Sequence, residues 1–248
     1  MQNPFIPLKN TNLTIIDGRV DDNIIRNLEK LNIKVIKTVK CVDVQESISY
    51  HPDIVIHPID HKTVIVAPNV YDYYENCLST LGIKIIKGET ILKNDYPYDI
   101  AYNVGRLKDI AIHNFKYTDE KLKFYLKKEN LNFINVNQGY TKCSLAIVDD
   151  LSAITADKYI YKNLKTLGYN MLLIEPGYVR LENEKYGFIG GTTGNLSANT
   201  ICFSGTFNKH PDYNKIVKFI EERGQDILYL SKNQISDIGT IINLNYIC

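Results

Sequence analysis

Few side chains in this sequence could carry chemistry, and they are scattered along the chain. Cys143 follows Lys142 at the end of the run Gln138-Gly139-Tyr140-Thr141-Lys142-Cys143. An ammonium beside a thiol lowers its pKa and makes the nucleophilic thiolate available. A cysteine at the start of an apolar strand serves equally as buried filler. His57 and His61 could move a proton near neutral pH or could occupy turns. His51, Asp53, His57 and His61 resemble a set of metal ligands, and strand residues four apart share a face, but Pro58 interrupts the extension. No metal site and no cofactor is therefore expected, and Cys143 and His57 stand as the catalytic candidates.

A second group of residues offers binding rather than reactivity. Asn103 and Arg106 provide an amide and a guanidinium suited to a carboxylate or phosphate, or else a turn and a surface arginine. The run Gly190-Gly191-Thr192-Thr193-Gly194 leaves its backbone amides bare, for a ligand or for a tight turn. Its glycines do not form the G-x-G-x-x-G pattern of a dinucleotide loop. Gln138, Tyr140 and Asp237 complete the ligand-binding candidates, with Gly190, Gly191 and Thr192.

Composition narrows the partners. Of 248 residues, 29 are basic and 28 acidic, giving a net charge of +1 with no long cationic block, so neither nucleic acid nor membrane is expected. No stretch approaches eighteen consecutive apolar residues, and no cationic-then-apolar leader opens the chain; a cytoplasmic protein is expected. Cys41, Cys77, Cys143, Cys202 and Cys248 are odd in number and lack a C-x-x-C pair, which disfavours disulfides and structural zinc. The remaining partners are a small polar metabolite or another protein.

The elements that position these residues repeat five times. Short apolar strands are predicted at Leu13 to Ile16, Val64 to Ala67, Asp109 to Ile112, Ala153 to Thr155 and Thr200 to Phe203. Each is followed by a turn and an amphipathic helix, with Ile24, Leu28 and Leu31 the first such face. Asn32, Gly82, Asn130, Gly168 and Gly224 stand where each helix should end in a left-handed cap. They recur at intervals of roughly fifty residues, the signature of a repeat architecture. A further strand follows each cap, and closing strands are predicted at Asp53 to His57, Asp99 to Asn103, Cys143 to Val148, Tyr186 to Ile189 and Asp237 to Ile242. The units run over approximately 11–60, 61–107, 108–150, 151–196 and 197–244 of a single domain spanning 1–248.

A unit of this size cannot bury its own core, and no terminal unit looks like a cap, so closure into a ring is favoured over an open doubly wound sheet. The order of strand, turn, helix, cap, strand and Asp-led strand resembles the penteins, the five-fold α/β propellers that include guanidino-modifying enzymes. The resemblance covers Leu13 to Leu244. More narrowly, Gln138 to Cys143, Gly187-Phe188-Ile189-Gly190-Gly191 and Asp237-Ile238-Gly239 resemble an uncharacterised bacterial pentein-like family. The resemblance implies helices outside, closing strands around a central channel, and loops from corresponding strands gathered at one end.

Guanidino-modifying penteins attack with a cysteine in the last unit, aided by a histidine of the third. This chain departs from both requirements. Its last unit reads Asp237-Ile238-Gly239-Thr240-Ile241-Ile242, without a nucleophile, and no histidine lies between Asn130 and Asp150. Cys248, the final residue, is read as an incidental thiol. The expectation is a protein that binds a small zwitterionic or amide-bearing molecule, or a partner, at one end of the channel without standard guanidino chemistry. The alternative is a divergent hydrolase or transferase using Cys143 or a channel histidine.

Overall fold

The computed structural model describes residues 3–246. Among these described residues fifteen strands form five three-stranded sheets. The first joins β1 (Leu13–Ile16), β2 (Lys34–Lys37) and the last strand, β15 (Ile242–Leu244). The second holds β3 (Ile56–Asp60), β4 (Thr63–Val66) and β5 (Lys84–Lys87), and the third β6 (Gly105–Leu107), β7 (Ile110–His113) and β8 (Asn132–Asn135). The fourth holds β9 (Ala146–Asp149), β10 (Ser152–Thr155) and β11 (Asn170–Leu173), and the fifth β12 (Thr193–Ser197), β13 (Thr200–Phe203) and β14 (Asp226–Tyr229).

Every sheet is built alike. Its middle strand pairs antiparallel with the strand before it and parallel with the strand after the helix. The first sheet completes the ring, because β15 pairs antiparallel with β1, Leu13 opposite Leu244 and Ile15 opposite Ile242. The five-fold pseudo-symmetric α/β propeller, the pentein architecture, is thus the fold. Each sheet takes its closing strand from one sequence repeat and its other two strands from the next.

Local chemistry explains the elements. Middle strands are apolar and buried, whereas β2 and β5 begin and end in lysine and expose those ends, which blunts an edge that would otherwise pair with another chain. The five outer helices, Asp22–Glu29, Tyr71–Leu78, Glu120–Lys128, Lys158–Thr166 and Tyr213–Glu221, each bury an i, i+4 pair: Ile24/Leu28, Tyr74/Leu78, Leu122/Leu126, Ile160/Leu164 and Ile216/Ile220. Asp21, Asp119 and Asp157 cap three of them by accepting from backbone amides of the first turn. Asn32, Gly82, Asn130, Gly168 and Gly224 all take positive φ, between 53° and 89°, as the cap assignment predicts. Leu31 departs from expectation: it lies beyond its helix and is exposed.

The closing strands begin later than predicted. Asp53 lies in a helical turn, Pro52–Val55, and Cys143 in another, Thr141–Ser144, while Gly190–Thr192 is a 3-10 turn. Asp99 to Asn103, Tyr186 to Ile189 and Asp237 to Ile241 are likewise outside the strands. The physical reason is common to all: these segments bend sharply so that one polar side chain or carbonyl can reach the neighbouring unit. Among the described residues no helix is long and apolar enough to cross a membrane.

Candidate functional site

The five bent segments meet at the axis and hydrogen-bond to one another in a closed belt. Asp53 N donates to Gly239 O at 3.1 Å, and Asn103 Nδ2 donates to Asp53 O at 3.3 Å. The Asn103 side-chain oxygen accepts from the amides of Lys142 (2.8 Å) and Cys143 (3.2 Å). Lys142 Nζ donates to Gly190 O at 3.4 Å, and Gly191 O accepts from the amides of Ile238 and Thr240, both at 3.0 Å. The belt therefore passes through every unit and fills the channel with polar groups.

Two buried charges sit within it. Lys142, 3% exposed, also donates to Thr240 Oγ1 at 3.1 Å, and that hydroxyl donates in turn to Asp53 Oδ2. Burial lowers the Lys142 pKa while Asp53 supports it; burial raises Asp53 while Lys142 pulls it back. Thr240 pays for its place with φ +71°, a left-handed conformation that costs a non-glycine residue about 1 kcal/mol or more. Its hydroxyl is fixed between the ammonium and the carboxylate.

Cys143 is held from two sides. Its Sγ donates to Asp53 Oδ2 at 3.0 Å and accepts from Asn103 Nδ2 at 3.3 Å. Burial, then the carboxylates of Asp53 and Asp237, push the thiol well above its ordinary pKa. The Lys142 ammonium donates to Thr240 and Gly190 rather than to this thiol, and burial, not activation, dominates its pKa. Both the burial and the contact with the Asp53 carboxylate favour the thiol over the thiolate.

His51 faces Asp237 on the cleft side. Its Nδ1 lies 3.8 Å from Asp237 Oδ1 and its Nε2 3.9 Å from Asp17 Oδ2. Neither nitrogen meets a partner at close hydrogen-bond geometry; the Asp237 backbone and the two carboxylates approach the ring only more loosely, a costly arrangement for a buried imidazole. Burial lowers its pKa against the opposing pull of Asp237 and Asp17. Asp237 accepts from Phe188 N at 2.8 Å and Gly239 N at 3.0 Å, and burial raises its pKa. Gly191 is glycine because a Cβ there would stand 1.9 Å from Asp237 Oδ1; Gly239 is glycine because a Cβ would stand 2.1 Å from His51 Cβ.

His51, Cys143 and Asp237 form the floor of a cleft of about 560 Å³. Tyr96, Tyr140, Tyr186 and Phe188 supply aromatic wall, and Glu184, Lys185 and Gln138 supply polar groups. Tyr140 is fixed by donating to Asp99 Oδ2 at 2.6 Å.

Of the residues singled out from sequence, Gln138, Tyr140, Cys143 and Asp237 line this cleft. Asn103 supports Cys143 from behind, fully buried. Gly190, Gly191 and Thr192 are buried in belt packing and do not face the cleft. Arg106 and His57 do not line it either. Arg106 is 1% exposed and donates to Ile59 O at 2.9 Å, and His57 packs edge-on to Phe5 with Nδ1 3.2 Å from Tyr102 O. Burial and the nearby Arg106 hold His57 well below its ordinary pKa. Arg106 lies in the strand Gly105–Leu107 rather than in a loop leaving it, and His57, in a closing strand as predicted, is packed against Phe5 instead of facing the cleft. Cys248 lies outside the described residues. His51, Tyr96, Glu184, Lys185 and Tyr186 were not singled out as ligand-binding residues; only His51 gave a local signal, standing before Pro52 at a helix start.

Solved structures of the same fold include DDAH from Pseudomonas aeruginosa complexed with citrulline, at 10% identity and TM-score 0.57, covering 96% of this chain and 100% of that one. The inosamine-phosphate amidinotransferase of Streptomyces griseus aligns at 9% identity and TM-score 0.57, covering 98% and 96%. An amidinotransferase of saxitoxin biosynthesis from Microseira wollei aligns at 12% identity and TM-score 0.54, covering 92% of each chain. At such identities the likeness is one of fold. No curated protein matches the chain in sequence. A family model described as a family of unknown function, DUF6873, matches residues 15–242, and the chain belongs to that family, within the pentein fold.

Proposed function

We propose that this chain binds a small polar molecule in the cleft at the channel end, with the molecule's polar head on the floor made by His51, Cys143 and Asp237. The observation that carries the reading is the pair of His51 nitrogens without a close hydrogen-bond partner beside a carboxylate, at the bottom of an aromatic-walled cleft. A buried polar group without a partner is expensive, and a ligand that supplies both a donor and an acceptor removes that cost. Glu184 and Lys185 at the same cleft offer one charge of each sign, which suits a zwitterionic or amide-bearing molecule.

Standard guanidino chemistry is not part of this reading. The thiol at the floor has its pKa raised by burial, donates its hydrogen bond to Asp53 rather than to a histidine, and sits in the third repeat instead of the fifth. One observation favours a second reading: the Cys143 thiol donates directly to a carboxylate that could act as its base, which would permit a divergent nucleophilic enzyme.

The test is a thermal-shift screen of amino acids, small amides and amines against the wild type, His51→Ala and Tyr186→Ser. Hits should lose their shift in His51→Ala and weaken in Tyr186→Ser. Hits that shift all three proteins equally would remove the cleft from consideration. Covalent modification of Cys143 by a hit, seen by intact mass and absent in Cys143→Ser, would instead establish the second reading.

A further inference from the structure

The geometry points to a zinc-type metal site on the floor of the cleft, with His51 Nδ1, Cys143 Sγ and Asp237 Oδ1 as three protein ligands and the fourth position open to the cleft. It rests on the cleft being the binding site and names what the polar head meets there. A ring nitrogen of His51, the sulfur of Cys143 and a carboxylate oxygen of Asp237 lie within 4.8 Å of one another, all in buried residues. Tetrahedral zinc with bonds of about 2.0 to 2.3 Å sets its ligand atoms about 3.5 Å apart, so the three need close by only about 1 Å. The His51–Asp237 pair, at 3.8 Å, is nearly at that spacing.

The surroundings fit a cation independently of that triangle. His51 Nδ1 is buried, has no close hydrogen-bond partner and is turned to Asp237, whose carboxylate oxygen stands 3.8 Å away. On the other side of the ring, Nε2 faces Asp17, which is itself gripped by Arg19 through Nε (3.1 Å) and Nη2 (2.7 Å). A carboxylate behind a metal-bound imidazole fixes its tautomer and strengthens its donation. Asp237 is aimed by the Phe188 and Gly239 amides, and Asn103 Nδ2 donates to Cys143 Sγ, a contact that favours the thiolate. Histidine, thiolate and carboxylate together select Zn²⁺ over Mg²⁺ or Ca²⁺.

Binding requires one proton to move and no change of oxidation state. As the Cys143 S–H bond breaks and the sulfur–metal bond forms, the proton is released to solvent, and Asp53 keeps its charge opposite Lys142. Three protein ligands leave a coordination position facing the cleft, as in catalytic rather than structural zinc sites. The matching head is one that chelates or donates a lone pair, such as an α-amino carboxylate or an amide carbonyl.

The experiment uses the full chain stripped with EDTA and titrated with Zn²⁺ and Co²⁺. One Zn²⁺ per chain should bind and raise Tm, and Co²⁺ should produce the near-ultraviolet thiolate-to-metal absorption band. Cys143→Ser should lose that band, and Asp17→Asn should bind zinc about tenfold more weakly. Zinc-edge X-ray absorption of the wild type should show a single sulfur neighbour, a readout that does not depend on any variant folding. No uptake at stoichiometric zinc, or uptake without a sulfur neighbour, overturns the site. Running the ligand screen with EDTA and with zinc separates the two claims. Hits that persist in EDTA while zinc fails to bind remove the metal and leave the cleft reading. Zinc bound with no ligand hits in either condition does the reverse.

Discussion

Replacing Lys142 with Met tests whether the buried belt is an electrostatic unit. The substitution keeps the length of the side chain and its apolar stem but removes the hydrogen bond to Thr240 and the cation that Asp53 relies on. Asp53, 2% exposed, is then a buried carboxylate without its countercharge. Breaking a buried pair from one side costs about 3–5 kcal/mol. For a chain of this size each kcal/mol lowers Tm by roughly 2–4 °C, so a fall of roughly 6–20 °C is expected. Adding Asp53→Asn removes the stranded charge. The double variant should exceed the sum of the single effects by about 1–3 kcal/mol of recovered stability in urea unfolding, with m checked for constancy. The pH dependence has a fixed sign. Burial raises the Asp53 pKa in the folded state, so its favourable linkage is present below the unfolded pKa and lost as pH rises through the folded one. The Lys142→Met penalty relative to wild type should therefore shrink in acid. Additive effects within about 0.5 kcal/mol would show that the two charges do not act together.

Other consequences follow from the same geometry. Gly191→Ala should unfold or severely destabilise the protein, since its Cβ would stand 1.9 Å from Asp237 Oδ1, whereas Gly82→Ala, at φ +71° with open space around it, should cost only about 1 kcal/mol in the same denaturation assay. His113 is buried between Thr118 Oγ1 (2.6 Å) and Gly139 O (2.8 Å), and burial holds its pKa down to about 4. Its neutral form thus contributes stability above pH about 6.5 that is lost as pH falls towards 4, worth about 3 kcal/mol, and His113→Gln should flatten that part of the stability–pH curve. Arginine and agmatine should yield no ureido product at an enzymatic rate in a colorimetric assay, with wild type and Cys143→Ser indistinguishable.

Much of the architecture was legible because local rules act alone there. Asn32 and Asn130 were placed with three glycines at one kind of cap, and all five are left-handed, since little but Gly and Asn tolerates that backbone. The closing strands begin several residues later than the sequence pattern predicts, because a buried polar turn and a half-buried strand share a composition. Asp53-Ile54, Asp99-Ile100 and Asp237-Ile238 looked like one repeated strand start. In the structure Asp53 bonds Cys143 and Thr240 in the belt, Asp99 receives Tyr140, and Asp237 lies against Gly191. The floor of the cleft was half visible. Cys143 and Asp237 stand out in the sequence, whereas the sequence neighbours that suggest a role for His51 are His57 and His61. Its real companions come from the third and fifth repeats, and nothing in linear spacing announces a meeting that ring closure alone produces.

The most direct measurement is a crystal structure of the protein with a hit from the ligand screen. Density for the molecule should lie with its polar head on His51 and Asp237 and its body against Tyr140 and Phe188. Density in the adjoining hollow of about 220 Å³ bordered by Arg19, Arg180 and Ser236, which shares Asp237 with the cleft, with nothing on His51 or against the aromatic wall, would contradict the account.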